Sequence, residues 1–98
     1  MNIDIQTRHI EINDALKAKI SDKVEKLGRF VERVTNIEVL ISAEAEGQVK
    51  VEIALNTDYK KDFRADYKSG DIMGCVDQSI DKLEQQLRKF KEKMVDHH

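Results

Sequence analysis

Apolar residues recur along this chain with two different periods, and the switches between them divide it into six elements. Residues 2–8 alternate, with Ile3 and Ile5 on one side and Asp4, Gln6 and Arg8 on the other, which predicts a strand with one buried face. Asn13 is a good helix cap, and Asp14 follows in the first turn. Leu16, Ile20, Val24, Leu27, Val31 and Val34 then step by fours and threes, predicting an amphipathic helix over 14–33. Gly28 inside it costs about 1 kcal/mol relative to alanine, which a stripe of this length absorbs. Alternation returns over 36–44, with Ile37, Val39, Ile41 and Ala43 inward, and over 48–56, with Val49, Val51, Ile53 and Leu55 inward. Glu46-Gly47 reads as the turn that joins these two strands into an antiparallel hairpin. A strand over 61–67 places Phe63 and Ala65 inward. The stretch 69–94 is the longest periodic run: Ile72, Val76, Ile80, Leu83, Leu87, Phe90 and Met94 share one helical stripe, and Asp71 can cap its first turn.

The order is therefore β-α-β-β-β-α. Two helices with single apolar stripes must bury them on a sheet whose one face is apolar. The fold class expected is α+β, a four-stranded mixed sheet with two roughly parallel helices on one face. The first two strands, if neighbours, pair in parallel through a right-handed crossover, and the next two pairings are antiparallel. Counting chain reversals makes the two helices run the same way.

Ninety-eight residues are enough for one core, so residues 1–98 are expected to form a single domain. No apolar run approaches the ~20 residues that span a bilayer, and the N-terminus alternates instead of forming a signal-peptide core. With one cysteine, Cys75, and no paired-cysteine spacing, neither an internal disulfide nor a cysteine metal site is expected, and a reducing cytoplasm is the simplest address. The formal net charge of −2 argues against a polyanionic partner only if the total is what counts. At physiological salt the Debye length is about 8 Å, so the local distribution of charge decides.

That distribution is uneven. Lys19, Lys23, Lys26 and Arg33 fall on one flank of the first helix, with Asp14, Glu25 and Glu32 away from the core. Lys82, Lys89 and Lys93 line one flank of the last helix, with Asp77, Asp81, Glu84 and Glu92 on the far side. Both basic flanks are offset from the apolar centre by about −100° at 100° per residue. On parallel helices one flank then faces the groove between them and the other an outer shoulder, predicting a broad positive swath. A single flank of this kind is usually no more than a solvated surface; two matched ones shift the balance towards a polyanion only in part, and most of that shift comes from the family resemblance described below. Such contact would be mainly ionic and would position the protein without reading bases. Arg8, Arg64 and Lys68 project from strands or loops, where cross-strand charge pairing and RNA contact are equally open.

The remaining chemistry is sparse. His9 reads as a structural or exposed residue, Cys75 as a small packed one, and His97-His98 do not make a metal site. Asp77, Asp81 and Glu84 occupy a solvated face. There is no nucleophile–base pair, phosphate-cradling glycine loop or metal spacing, so no catalysis, cofactor or small-molecule substrate is expected.

The final helix resembles a known signature. Its D-x-x-x-x-x-D-x-x-I-D-K-L-E-x-Q-L-x-K-x-K-x-K pattern, from Asp71 to Lys93, is similar to that of the short ribosome hibernation-promoting factors, the ribosome-associated inhibitor family also called sigma factor modulation proteins. Three other stretches agree: Ile3-x-Ile5-x-x-Arg8-x-Ile10-Glu11-Ile12 followed by Ala15-Leu16, then Lys26-Leu27, then Phe63-Arg64-Ala65-Asp66. Departures are Met73 where the family often has tyrosine, Gly74 and Cys75 where it has alanines, Thr7 for a glycine and Asn13 for a threonine cap. The resemblance implies a fold laid out like double-stranded-RNA-binding domains. It also implies binding to the small ribosomal subunit and its rRNA in the decoding channel, where translation is blocked by occupancy under stress or in stationary phase. The rRNA contacts it implies are Lys19, Lys23, Lys26, Arg33, Lys82, Lys89 and Lys93. Longer relatives carry a second, dimerising domain; this chain looks like the short form, or like a truncated long one. Two other readings stay open: a protein-interaction module that regulates a transcription factor through the acidic helix faces, and a general double-stranded-RNA binder.

Overall fold

A computed structural model of the chain describes residues 1–30, 34–59 and 61–95. The elements are β1 (Asn2–Arg8), α1 (Asp14–Phe30), β2 (Val34–Ala43), β3 (Val49–Thr57), β4 (Asp62–Ser69) and α2 (Ile72–Val95), with a 3-10 turn at Ala45–Gly47. The sheet order is β1-β2-β3-β4. β1 pairs in parallel with β2, and the other two pairings are antiparallel. β1, β2 and β4 thus share a direction and each helix returns against them, which makes α1 and α2 parallel. α1 packs against β1 and α2, while α2 covers β3 and β4.

Both helix starts are capped as the sequence predicts. The Asn13 carboxamide oxygen accepts from the Leu16 N–H at 2.8 Å, and the Asp71 carboxylate from the Gly74 N–H at 3.1 Å. The hairpin connection takes Glu46 and Gly47 to φ values of 61° and 73°, so a glycine falls where the left-handed conformation costs it nothing.

One boundary differs from expectation. Val34 is not the last residue of the helical stripe but the first of β2. It continues the inward alternation poorly, and the β2–β3 register shifts between Val34 and Asn36. A valine three residues past Val31 satisfies a helical period and is also a favourable strand residue, so spacing alone does not separate the two readings. Val31 and Arg33 lie outside the described residues, as do His97 and His98.

The core lies between sheet and helices. Ile20, Val24 and Leu27 of α1 meet Ile37, Val39 and Ile41 of β2, Val51, Ile53 and Leu55 of β3, and Val76, Leu83 and Leu87 of α2, all of them almost fully buried. α2 is also pinned by polar contacts to β3: the buried Ser79 hydroxyl donates to the Val51 carbonyl at 3.2 Å, and the Cys75 thiol lies 3.6 Å from that of Val49. Cys75 is the small packed residue anticipated from its position.

Candidate nucleic-acid interface

Burial of Val76, Leu83 and Leu87 fixes the rotation of α2, and that rotation carries its lysine flank to the open edge of β4. An edge strand presents unpaired backbone groups that must be covered or left to water. Here α2 covers two of them. The Lys82 ammonium donates to the Asp66 carbonyl at 2.8 Å, and one turn later the Gln86 amide donates to the Arg64 carbonyl at 2.9 Å. Lys82 also lies over the Tyr67 ring, 5.3 Å from its centroid. Because its acceptor is a neutral carbonyl, Lys82 keeps its charge at the surface while closing the edge.

Beyond Lys82 the same shoulder opens into a cleft of about 230 Å³ lined by Lys61, Lys89, Lys93, Phe63 and Phe90, with Asp62 and Gln86. Its rings pack edge to face: Phe90 is 5.4 Å from Tyr59 and 5.3 Å from Phe63 between centroids. The Lys61 ammonium sits 5.6 Å from the centroids of both Phe63 and Phe90. Lys89 and Lys93 are exposed and form no ion pair among the described residues. The sequence reading missed Lys61 and the aromatic lining. A lysine at the start of a strand has no periodicity to orient it, although Phe63 and Phe90 both on inward stripes place their rings in the same layer.

On α1 the flank turns the other way, into the groove between the helices. Lys23 bridges that groove, 2.7 Å from the Asp77 carboxylate of α2. Lys19 and Lys26 are exposed beside it, and Arg33 lies outside the described residues. The two basic flanks therefore do not merge into one swath. Parallel helices with the same order of charge around their axes set the basic side of one against the acidic side of the other, so a strip containing Asp77 separates the two groups of lysines.

Other sequence candidates have ordinary places. Arg64 points to the open face of the sheet and reaches Glu52 on β3 at 3.4 Å, a cross-strand charge pair and so one of the two roles left open for that position. His9 is exposed, with a φ of 62° where the chain leaves β1. Among the described residues no group of three His, Cys, Asp or Glu side chains could hold a metal ion. No described helix is long and apolar enough to cross a membrane.

The resemblance read from the sequence is borne out by comparison with known proteins. The family profile described as "Sigma 54 modulation protein / S30EA ribosomal protein" matches residues 3–95. A ribosome hibernation promoting factor of Azotobacter vinelandii is 29% identical over 96 residues, which cover 98% of this chain and 88% of that protein. The ribosome hibernation promotion factor of Bacillus subtilis is 32% identical over 98 residues; the match covers 96% of this chain but half of that longer protein. In structure, the N-terminal domain of Thermus thermophilus Protein Y superposes with a TM-score of 0.80 at 25% identity, covering 92% of this chain and 99% of that domain. The chain belongs to the sigma 54 modulation protein / S30EA ribosomal protein family.

Proposed function

We propose that this domain is a non-catalytic, cytoplasmic ribosome hibernation factor. It binds the small ribosomal subunit in the decoding channel, excludes messenger and transfer RNA, and so inhibits translation under stress or in stationary phase. The names of its relatives support the hibernation role, and the observation that carries the contact with rRNA is the lysine-lined shoulder of β4 and α2. There Lys89, Lys93 and Lys61 stand around one cleft next to Lys82. Lys19 and Lys26 on α1 supply a second group of contacts, joined by Arg33 as the family resemblance implies; Lys23, implied in the same way, is held by Asp77 and becomes available only when that pair is broken. The grip is ionic, so it depends on where the cations stand and not on the total charge.

The test is co-sedimentation of the double variant Lys89→Glu/Lys93→Glu with small subunits. Both side chains are exposed and free of ion pairs among the described residues, so the fold is left intact. Binding should fall at least tenfold, since two attractions to phosphate become two repulsions. Wild-type co-sedimentation by the variant would reject the assignment of this shoulder.

A further inference from the structure

The face of the sheet turned away from the helices has a charge order of its own. Strand registers place Arg8 opposite Ser42, Ser42 opposite Lys50, and Lys50 opposite Lys68, so these four residues form one row across all four strands. Residues directly opposite one another project to the same face, and Arg64, four residues from Lys68 on β4, and Glu52, two from Lys50 on β3, identify that face as the open one. The acids of this face lie in other rows: Gln6, Leu40, Glu52 and Asp66 form the next, and Asp4, Glu38, Ala54 and Arg64 the one after. Three of the four strand cations of this face, Arg8, Lys50 and Lys68, thus stand in one row at one end, and Arg64 alone stands among the carboxylates.

This arrangement works against the sheet. Like charges directly opposite each other on paired strands are destabilising, yet Lys50 and Lys68 face each other. Among the described residues neither they nor Arg8 has an ion-pair partner, and of the two acids in the adjoining row, Glu52 and Asp66, the first is taken by Arg64. Between Arg8 and Lys50 the surface is concave, with a volume of about 500 Å³ that is also lined by His9, Ser42, Glu44 and Glu52. The row spans three interstrand spacings, about 14 Å, long enough to follow a stretch of sugar-phosphate backbone. An anion laid along it would turn the repulsion between Lys50 and Lys68 into a shared attraction.

We propose that the row Arg8–Ser42–Lys50–Lys68 is a second phosphate-binding surface, so that the domain is held by RNA on two opposite sides. The inference rests on the ribosome-binding reading above and deepens it. The molecule measures 23 and 19 Å along its two short axes, so a groove of about that width touches both the helical layer and the open sheet. A protein with lysines on its helices alone would lean against one wall.

Two measurements test this. In the first, purified small subunits are titrated between 50 and 200 mM salt with wild type and with Arg8→Gln/Lys50→Gln/Lys68→Gln. Each phosphate contact contributes roughly a threefold loss of affinity over that range, so removing three should shrink the salt-induced loss by about twenty- to fortyfold. Relieving the Lys50–Lys68 repulsion leaves the variant at least as stable as wild type. In the second, an iron chelate that generates hydroxyl radicals is tethered to Lys68→Cys or to Lys89→Cys, where it cuts nearby RNA; the native thiol of Cys75 is fully buried. Cuts in the rRNA from position 68, at nucleotides distinct from those cut from position 89, are expected. Cuts from 89 alone, or wild-type salt dependence of the triple variant, would overturn the second surface and leave the ribosome-binding reading standing. No cuts from either position would overturn both. A weaker complex whose position-68 probe cuts no RNA would point to an acidic protein on this face, against the proposal.

Discussion

Lys82 illustrates how one side chain can brace the fold while standing on the surface proposed for rRNA contact. Its ammonium closes a hydrogen bond to the Asp66 carbonyl on the open edge of β4, and its stem lies over Tyr67. Lys89, two turns further along α2, is exposed beside the cleft and has no such partner among the described residues. Removing the two charges should therefore have different consequences. Lys82→Met keeps the apolar stem and loses the hydrogen bond, so stability should fall by about 1 kcal/mol. Lys89→Met should change it by no more than about 0.5 kcal/mol. Urea denaturation of both variants measures the difference, and equal stabilities would mean that the β4 edge does not need Lys82. The same contrast governs binding: charge reversal at Lys82 confounds folding with RNA contact, whereas reversal at Lys89 does not.

Between elements, the decisive contact is the one that joins the helices. Lys23 and Asp77 are 54 residues apart in sequence and meet across the α1–α2 groove. Their pair is solvent-exposed, with side-chain exposures of 37% and 51%, so it contributes at most about 1 kcal/mol. Its larger effect is to neutralise a cation of the α1 flank. Asp77→Asn should release Lys23 at little cost in stability and raise the salt slope of small-subunit binding by about 0.7–0.9, the value of one added phosphate contact. An unchanged slope would place the middle of α1 away from RNA.

How far such features can be read in the chain follows from what each depends on. The strands, both caps and the helical stripes depend on local period, and Ile3, Asn13, Asp71 and Leu83 announced them. Val34 fits two periods at once, so its place in β2 was hidden. The basic flanks are local as well, but their partners are not. Parallel helices with the same order of charge must set lysines against acids in the groove, a consequence available from the pattern once both helices are considered together. The cleft at Phe63 and Phe90 and the row from Arg8 to Lys68 need the strand register, which no single segment contains.

For the molecule as a whole, a formal charge of −2 hides three separated groups of cations: the α2 shoulder, the α1 flank and one end of the open sheet. Acids lie between them, among them Asp77 in the groove and Glu38, Glu52 and Asp66 on the sheet. Repulsion from those acids is short-ranged at physiological salt, where the Debye length is about 8 Å, so a surface that meets only the cations is attracted. A rigid duplex can lie against one group at a time, and on either side of its contact it meets carboxylates. A groove in folded RNA can engage the helical and the sheet surfaces together, which multiplies the two affinities instead of averaging them. A naked 20-base-pair RNA duplex should accordingly bind in the range of non-specific complexes, with a Kd of about 10–100 μM at physiological salt. Small subunits should bind at least a hundredfold more tightly under the same conditions. Fluorescence anisotropy with labelled duplex and labelled protein gives both values. Equal affinities would mean that the fold acts as a general double-stranded-RNA binder, with no premium on a partner that surrounds it.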